Sequence, residues 1–271
     1  MAIFNQVVSG GGSAPVGLNV PLKVTQQGLL RNDYTASTSL DFTGVVTVGA
    51  MLQNAYMGNT TITGAAFRNG SSIQTINANT CVHMYDTCTG ITSIGLTSSL
   101  QYVQDHGLEF CFNGCTGITS VGTMLSGIEN IGAYALAGCF DGCSNLTGNI
   151  SFDSLTTLSA PACLTMAFMG TSVNSISFPA LEYVDPDMPS DSDPEMWDEN
   201  GNDIFNSMLS GVTGCTVHFP SNLENRINQF YDYANGFGGT NTTILFDLEP
   251  TGEPYEPEPE GPEEPEEPME E

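Results

Sequence analysis

The sequence predicts a solenoid: a stack of about six short coils of nearly equal length, capped at both ends. Three observations predict it. A six-residue frame recurs as Tyr85-Asp-Thr-Cys88-Thr-Gly, Phe112-Asn-Gly-Cys115-Thr-Gly and Phe140-Asp-Gly-Cys143-Ser-Asn. It is visible in worn form at Tyr56-Met-Gly-Asn59, Phe168-Met-Gly-Thr171 and Met208-Leu-Ser-Gly211, and the leading residues step by 29, 27, 28, 28 and then 40 positions. Second, each unit carries an apolar pair three residues apart: Val45/Val48, Ile73/Ile76, Leu100/Val103, Ile128/Ile131, Leu155/Leu158 and Leu181/Val184. Third, Ile62, Ile91, Ile118 and Leu146 follow the cysteine column, with Val173 next after a one-residue slip. Units this short cannot bury an apolar face alone, so columns in register predict seams of one continuous core.

Residues 1–15 stand outside the repeat, with a strand-like segment from Ile3 to Val8 and the hinge Gly10-Gly-Gly-Ser-Ala-Pro15. Residues 16–44 are assigned to an N-terminal cap, which a solenoid needs to cover its open core. Residues 45–220 hold the repeats, each a short strand such as Ile91-Thr-Ser-Ile94 or Ile118-Thr-Ser-Val121, a second extended segment, and a short helix or turn. Ala133 to Phe140 is the best helical candidate, and Gly at the corner permits a positive backbone angle. The long last interval contains residues 185–203, whose Pro and Asp content predicts a loop leaving the stack. Residues 221–248 read as a C-terminal cap: a capping box at Ser221-Asn-Leu-Glu224, a helix with Leu223, Ile227, Phe230 and Tyr231 on one face, then a strand at Thr242–Asp247. Residues 249–271 are Pro/Glu low complexity without a packed fold.

Charge is confined to two segments. The net charge is -27, with four bases (Lys23, Arg31, Arg68, Arg226) against 31 acids. Eleven Glu fall in 249–271 and eight acids in 185–203, leaving a mildly acidic repeat body. So few bases exclude phosphate-backbone recognition, and an anionic membrane surface is disfavoured for the same reason. No apolar stretch approaches the length of a membrane span. The opening twelve residues lack the cationic start and apolar run of a secretory signal. The expectation is a protein that stays in its cell or leaves by another route, such as assembly into a virus particle.

The eight cysteines admit three readings: buried thiols, disulfides between coils, or metal ligands. Cys88, Cys115 and Cys143 share one column and Cys111 and Cys139 another, which favours repeated interior positions. His83 and His218 sit near repeat corners and read as structural, and His106 has Asp105 beside it, although adjacent residues rarely aim at one point. No nucleophile elbow, phosphate loop or zinc-helix motif is present, so no catalytic residue is assigned. The acidic loop is either a solvated surface loop or, since it offers oxygen ligands at alternate positions, a calcium site with Asp191, Asp193, Asp198 and Asp203 as candidate ligands, although Gly201 is misplaced for a calcium loop and its distal Glu is absent. No other cofactor is implied. Trp197 in the same loop is either a partner anchor or a lid folded onto the stack.

The units Phe112-Asn-Gly-Cys-Thr-Gly-Ile-Thr-Ser-Val and Phe140-Asp-Gly-Cys-Ser-Asn-Leu-Thr resemble the BspA-type leucine-rich repeat, as do Val217-His-Phe-Pro-Ser-Asn-Leu-Glu and Phe237-Gly-Gly-Thr-Asn-Thr-Thr-Ile-Leu-Phe at the end. The resemblance covers residues 45–247 and implies a leucine-rich-repeat solenoid of about six repeats of 27–29 residues. It departs from that family in its longer units and its Thr/Ser-rich strands. Members are associated with attachment to host or partner surfaces. The opening Met1-Ala-Ile-Phe-Asn-Gln-Val-Val-Ser-Gly-Gly looks like the start of tail or appendage proteins of gut bacteriophages. Together these imply a non-enzymatic virion structural or attachment protein, docked through Ile3, Phe4 and Val7 and meeting a protein on a virion or host surface. The alternative is a bacterial leucine-rich-repeat surface protein, and either admits a homo-oligomer.

Overall fold

The computed structural model describes residues 24–25, 28–29, 39–49, 51–184, 204–225, 227 and 237–251. At the start, β1 (Val24–Thr25) and β2 (Gly28–Leu29) pair antiparallel. From residue 39 onward the chain winds into a parallel β-solenoid of about six turns with almost no helix.

One wall is built from two-residue strands. β3 (Thr47–Val48), β5 (Thr75–Ile76), β7 (Tyr102–Val103) and β8 (Asn130–Ile131) form a parallel sheet. β10 (Thr157–Leu158) and β12 (Tyr183–Val184) pair in the same way farther along. In each strand the second residue is buried and the first faces out, as the two-residue period of a strand requires. All six predicted apolar pairs are buried.

A second wall carries longer strands. β4 (Gly64–Ala66) pairs with β6 (Ile91–Ile94). β9 (Thr147–Ser151), β11 (Ser172–Ser177), β13 (Thr216–Pro220) and β14 (Thr243–Leu248) form a four-stranded parallel sheet. Ile118–Val121, expected to be a strand, forms none and joins no ladder. Only Thr119 reaches the next coil, its carbonyl accepting the Thr147 N–H at 3.3 Å. The slip at Val173 is a bulge: Val173 faces Gly148 but Ser175 faces Asn149. Asn174 is the extra residue, and its side chain accepts the Gly148 N–H at 3.0 Å.

The third wall corrects the helix expected at Ala133–Phe140. These residues form tandem turns. Tyr134, Leu136, Gly138, Phe140 and Gly142 donate to Pro161, Cys163, Thr165, Ala167 and Met169 of the next coil, at 2.8–3.0 Å. The intervening Ala135, Ala137, Cys139, Asp141 and Cys143 donate to the carbonyl three residues earlier. Tyr134, Gly138 and Gly142 have φ of 54°, 56° and 68°. A left-handed residue every fourth position cannot occur within an α-helix. A helix would send every N–H to its own carbonyls and leave this wall unbonded to its neighbours. The tandem turns instead share donors between the coil and the stack, which overrides the weak helical preference of the alanines.

Inside, the rings of Tyr56, Tyr85, Phe112, Phe140 and Phe168 form one continuous stack, with successive centroids 5.1, 5.8, 5.4 and 5.7 Å apart. The cysteine column is locked to it. Cys88, Cys115 and Cys143 donate their S–H groups to the carbonyls of Tyr56, Tyr85 and Phe112 in the coil before, at 3.0, 3.0 and 3.1 Å. A second stack, not read from the sequence, runs Phe152, Phe178, Phe219 and Phe246 at 5.0, 5.2 and 5.9 Å. One core cluster runs from Leu40 to Phe237.

The ends differ from expectation in detail. Ser221 does not cap a helix with its side chain: Ser221–Leu223 is a 3-10 turn with Pro220 at its N-cap. The proline ring fixes an extended entry, so the Glu224 N–H bonds the Ser221 carbonyl instead. Phe230 and Tyr231 lie outside the described residues; Leu223 and Ile227 are buried. The final strand forms as expected. At the other end Leu40, Phe42 and Val45 close the core.

Candidate functional site

The residues singled out from the sequence, Ile3, Phe4, Val7, Trp197, Asp191, Asp193, Asp198 and Asp203, all lie outside the described residues. The flanks of the acidic segment are described. Val184 ends β12, and the Ile204 carbonyl accepts the Leu164 N–H at 3.2 Å, so the chain is back in register where residue 204 begins.

The described residues assemble a different surface, on the outside of the turn wall. His83 and Phe110 occupy equivalent left-handed positions of successive coils, at φ 51° and 48°. Their rings stack at 5.0 Å and 4°. Gly138 continues that column, and a Cβ there would fall 2.2 Å from the Phe110 ring. Phe110 is therefore held flat between an imidazole and bare backbone. One turn away, His106 and Tyr134 repeat the arrangement at 5.0 Å and 4°. All four rings are half-buried, so their outer edges reach solvent.

Carboxylates fix both imidazoles. His83 Nδ1 lies 2.8 Å from Asp86, which is 4% exposed and also accepts the Asn113 amide at 3.2 Å. His106 Nδ1 lies 2.9 Å from Glu109. Asp105, next to His106 in sequence, accepts the Ala133 N–H at 2.9 Å instead. Adjacent residues of this wall point to different neighbours because alternate positions serve different coils. Asp141, one coil beyond Asn113, has its carboxyl pKa raised by burial and, secondarily, by the Asp86 charge. His218, on the sheet wall, pairs with Asp247 at 2.9 Å. The turn wall thus presents ring edges above an acidic floor, chemistry suited to a partner's donors and cations.

The eight cysteines are buried free thiols. Burial pushes Cys81, Cys88 and Cys143 up to about 12 and Cys215 to about 11. Burial raises Cys111, Cys115, Cys139 and Cys163 as well, so none is held as a thiolate nucleophile. No group of three His, Cys, Asp or Glu among the described residues is placed to hold a metal ion. Arg68 is the one Lys or Arg among the described residues, and it pairs with Asp41 at 3.1 Å. Hydrogen bonds from Thr43 and Asn69, more than the Arg68 charge, hold the Asp41 carboxyl down at about 2. On the two-residue-strand wall, Tyr102 is 43% exposed, and its hydroxyl and the Gln101 amide bond Glu129 at 3.0 and 2.8 Å. No helix among the described residues is long and apolar enough to cross a membrane.

The ring surface has a sequence signal that the core frame masks. His83 and Phe110 stand two residues before Tyr85 and Phe112, and His106 and Tyr134 stand six before Phe112 and Phe140. Aligning the units on the aromatic position exposes both columns. Comparison with protein-family models, with curated proteins and with solved structures finds no match to this chain.

Proposed function

We propose that this chain is a non-enzymatic binding or structural protein of the BspA-type leucine-rich-repeat kind, carried on a bacteriophage particle and presenting its solenoid surface to a host or virion protein. The observation that carries the reading is the division of labour across the coils. The aromatics and cysteines of the repeated corner frame are spent on one closed core, while half-exposed rings and carboxylates gather on one outer wall. The Phe-x-Gly-Cys corner followed by a short strand supports the leucine-rich-repeat type, and the opening segment supports the phage origin. The acidic segment at 185–203 is a candidate calcium loop within this reading, and Trp197 its candidate anchor.

The test is particle composition. The protein is expected in purified virions by immunoblot, and a chain lacking residues 1–12 is expected to drop out of them while remaining folded. Absence of the intact chain from the particle refutes the phage reading. Recovery instead on the outside of bacterial cells supports the alternative, a bacterial surface protein of the same repeat type.

A further inference from the structure

We infer that the two-residue-strand wall carries a sugar-binding platform, centred on Tyr102, for a neutral oligosaccharide of equatorially substituted hexoses. The inference is independent of the attachment reading and concerns a different wall from the ring surface. Tyr102 is the outward residue of β7, and at 43% exposure it is the only exposed Phe, Tyr or Trp among the described residues. Its hydroxyl donates to Glu129 Oε2 in the next coil at 3.0 Å, so the ring is held in one pose. A ring fixed in advance loses little rotamer freedom on binding. Tyr102 pairs in register with Thr75 on one side and Asn130 on the other. Thr157 and Tyr183 hold the same position of the apolar-pair frame in the two coils beyond, and pair with each other. The column thus sets two short polar residues, Asn130 and Thr157, between two tyrosines.

The chemistry around the ring selects the ligand. The face of a tyrosine carries the negative side of its quadrupole, which the polarised C–H groups of a flat hexose face meet. Axial hydroxyls would lift a hexose off the ring, so equatorially substituted units fit. Hydroxyls rim such a face, and the wall answers them: Gln74, Asn130, Thr156 and Thr157 are exposed, and their side chains bond no described residue. A protein partner needs an apolar core inside a polar rim, whereas these exposed neighbours of Tyr102 are all polar. A cation is not invited, because both oxygens of Glu129 are already bonded, one to Tyr102 and one to the Gln101 amide at 2.8 Å. An anion finds no base: Arg68, the one Lys or Arg among the described residues, is paired with Asp41.

Saturation-transfer NMR titration of the full chain with cellotetraose, a neutral chain of such hexoses, tests the proposal. Saturable binding at millimolar sugar is expected. Tyr102→Thr is expected to weaken it about tenfold. That variant suits the strand, since Thr47 and Thr75 hold the position in the two preceding coils. Should it fail to fold by circular dichroism, Asn130→Ala, at an exposed position beside the ring, makes the same test. Tyr102→Phe keeps the ring but cuts its anchor, and is expected to bind more weakly than the native chain and more tightly than Tyr102→Thr. The cellouronate tetramer, with the same linkage but a carboxylate on every unit, is expected to bind about tenfold more weakly than cellotetraose. No transfer to the C–H protons of cellotetraose overturns the platform. Affinity unchanged by Tyr102→Thr or Asn130→Ala places the site elsewhere and also overturns it. A cellouronate tetramer that binds as tightly as cellotetraose overturns the neutral class. A Tyr102→Phe variant equal to the native chain overturns the role of the Glu129 anchor.

Discussion

Replacing one ring of the central stack tests whether the columns share their stability along the coil axis. Phe112 is fully buried, stacks on Tyr85 at 5.8 Å and on Phe140 at 5.4 Å, and meets Phe67 edge-on at 6.0 Å. Phe168 ends the stack, with Phe140 at 5.7 Å on one side; its N–H bonds the Met208 carbonyl, so the next residue of its column is Leu209, one position after the Met208 read from the sequence. Phe→Leu keeps the site apolar and close in volume, so the misfit itself costs under ~1.5 kcal/mol. Each lost ring pair adds ~0.5–1.5 kcal/mol. Phe112→Leu therefore costs about 3–4 kcal/mol, and Phe168→Leu about 2 kcal/mol less, because it loses one ring pair rather than three. Both are large fractions of a total stability of about 5–15 kcal/mol. Urea unfolding followed by far-UV circular dichroism reads both. Equal losses at the two positions, or a loss under ~1 kcal/mol at Phe112, would refute the reasoning that the rings act as a stack.

The coil geometry sets four further outcomes. Thr87 occupies at φ 58° the corner that Gly58, Gly114, Gly142, Gly170 and Gly211 occupy with positive φ. Thr87→Gly should raise stability by about 0.5–1 kcal/mol in a thermal melt, since relief of left-handed strain outweighs the flexibility of glycine, and a lower Tm contradicts this. Cys115→Asp should unfold the stack, because an unpaired buried carboxylate costs several kcal/mol, whereas Cys115→Ser should leave it folded; a native spectrum for the Asp variant contradicts the burial. Asp41 has its pKa depressed to about 2 in the folded chain, against an ordinary value of 3.8. Its contribution is present above pH 3.8 and lost as pH falls toward 2, so Asp41→Asn should flatten that part of the acid limb of a pH–Tm curve; an unchanged limb refutes the assignment. Removing residues 252–271 should leave Tm unchanged, as the segment offers only Tyr255 and Met269 as large apolar side chains; a fall of more than a few degrees contradicts that.

The architecture was legible in the sequence because a repeat samples the same environment several times. The apolar pairs, the Phe-x-Gly-Cys corner and the slip at Val173 each mark a position that the stack makes equivalent. Local conformation was less legible. Ala133–Phe140 carries helical propensity, yet its backbone is set by donors shared with the neighbouring coil, a requirement that no single unit displays. The Phe152–Phe178–Phe219–Phe246 stack escaped because its spacing is broken by the long interval after Val184. The ring surface escaped because His83, Phe110, His106 and Tyr134 change residue type down their columns. The docking residues Ile3, Phe4 and Val7, and the acidic loop with Trp197, remain proposals that particle composition and binding experiments decide.

The most direct test of the stacked core is the position of its sulfurs. In a crystal of the native protein, an anomalous sulfur map should place Cys88, Cys115 and Cys143 in one line. Successive peaks should be about 5 Å apart, the spacing of adjacent strands, each beside the carbonyl of the preceding coil's aromatic residue. Cys111 and Cys139 should form a second such column. Any of the first three sulfurs found on the surface, or successive sulfurs of the three separated by more than one coil, would contradict the account.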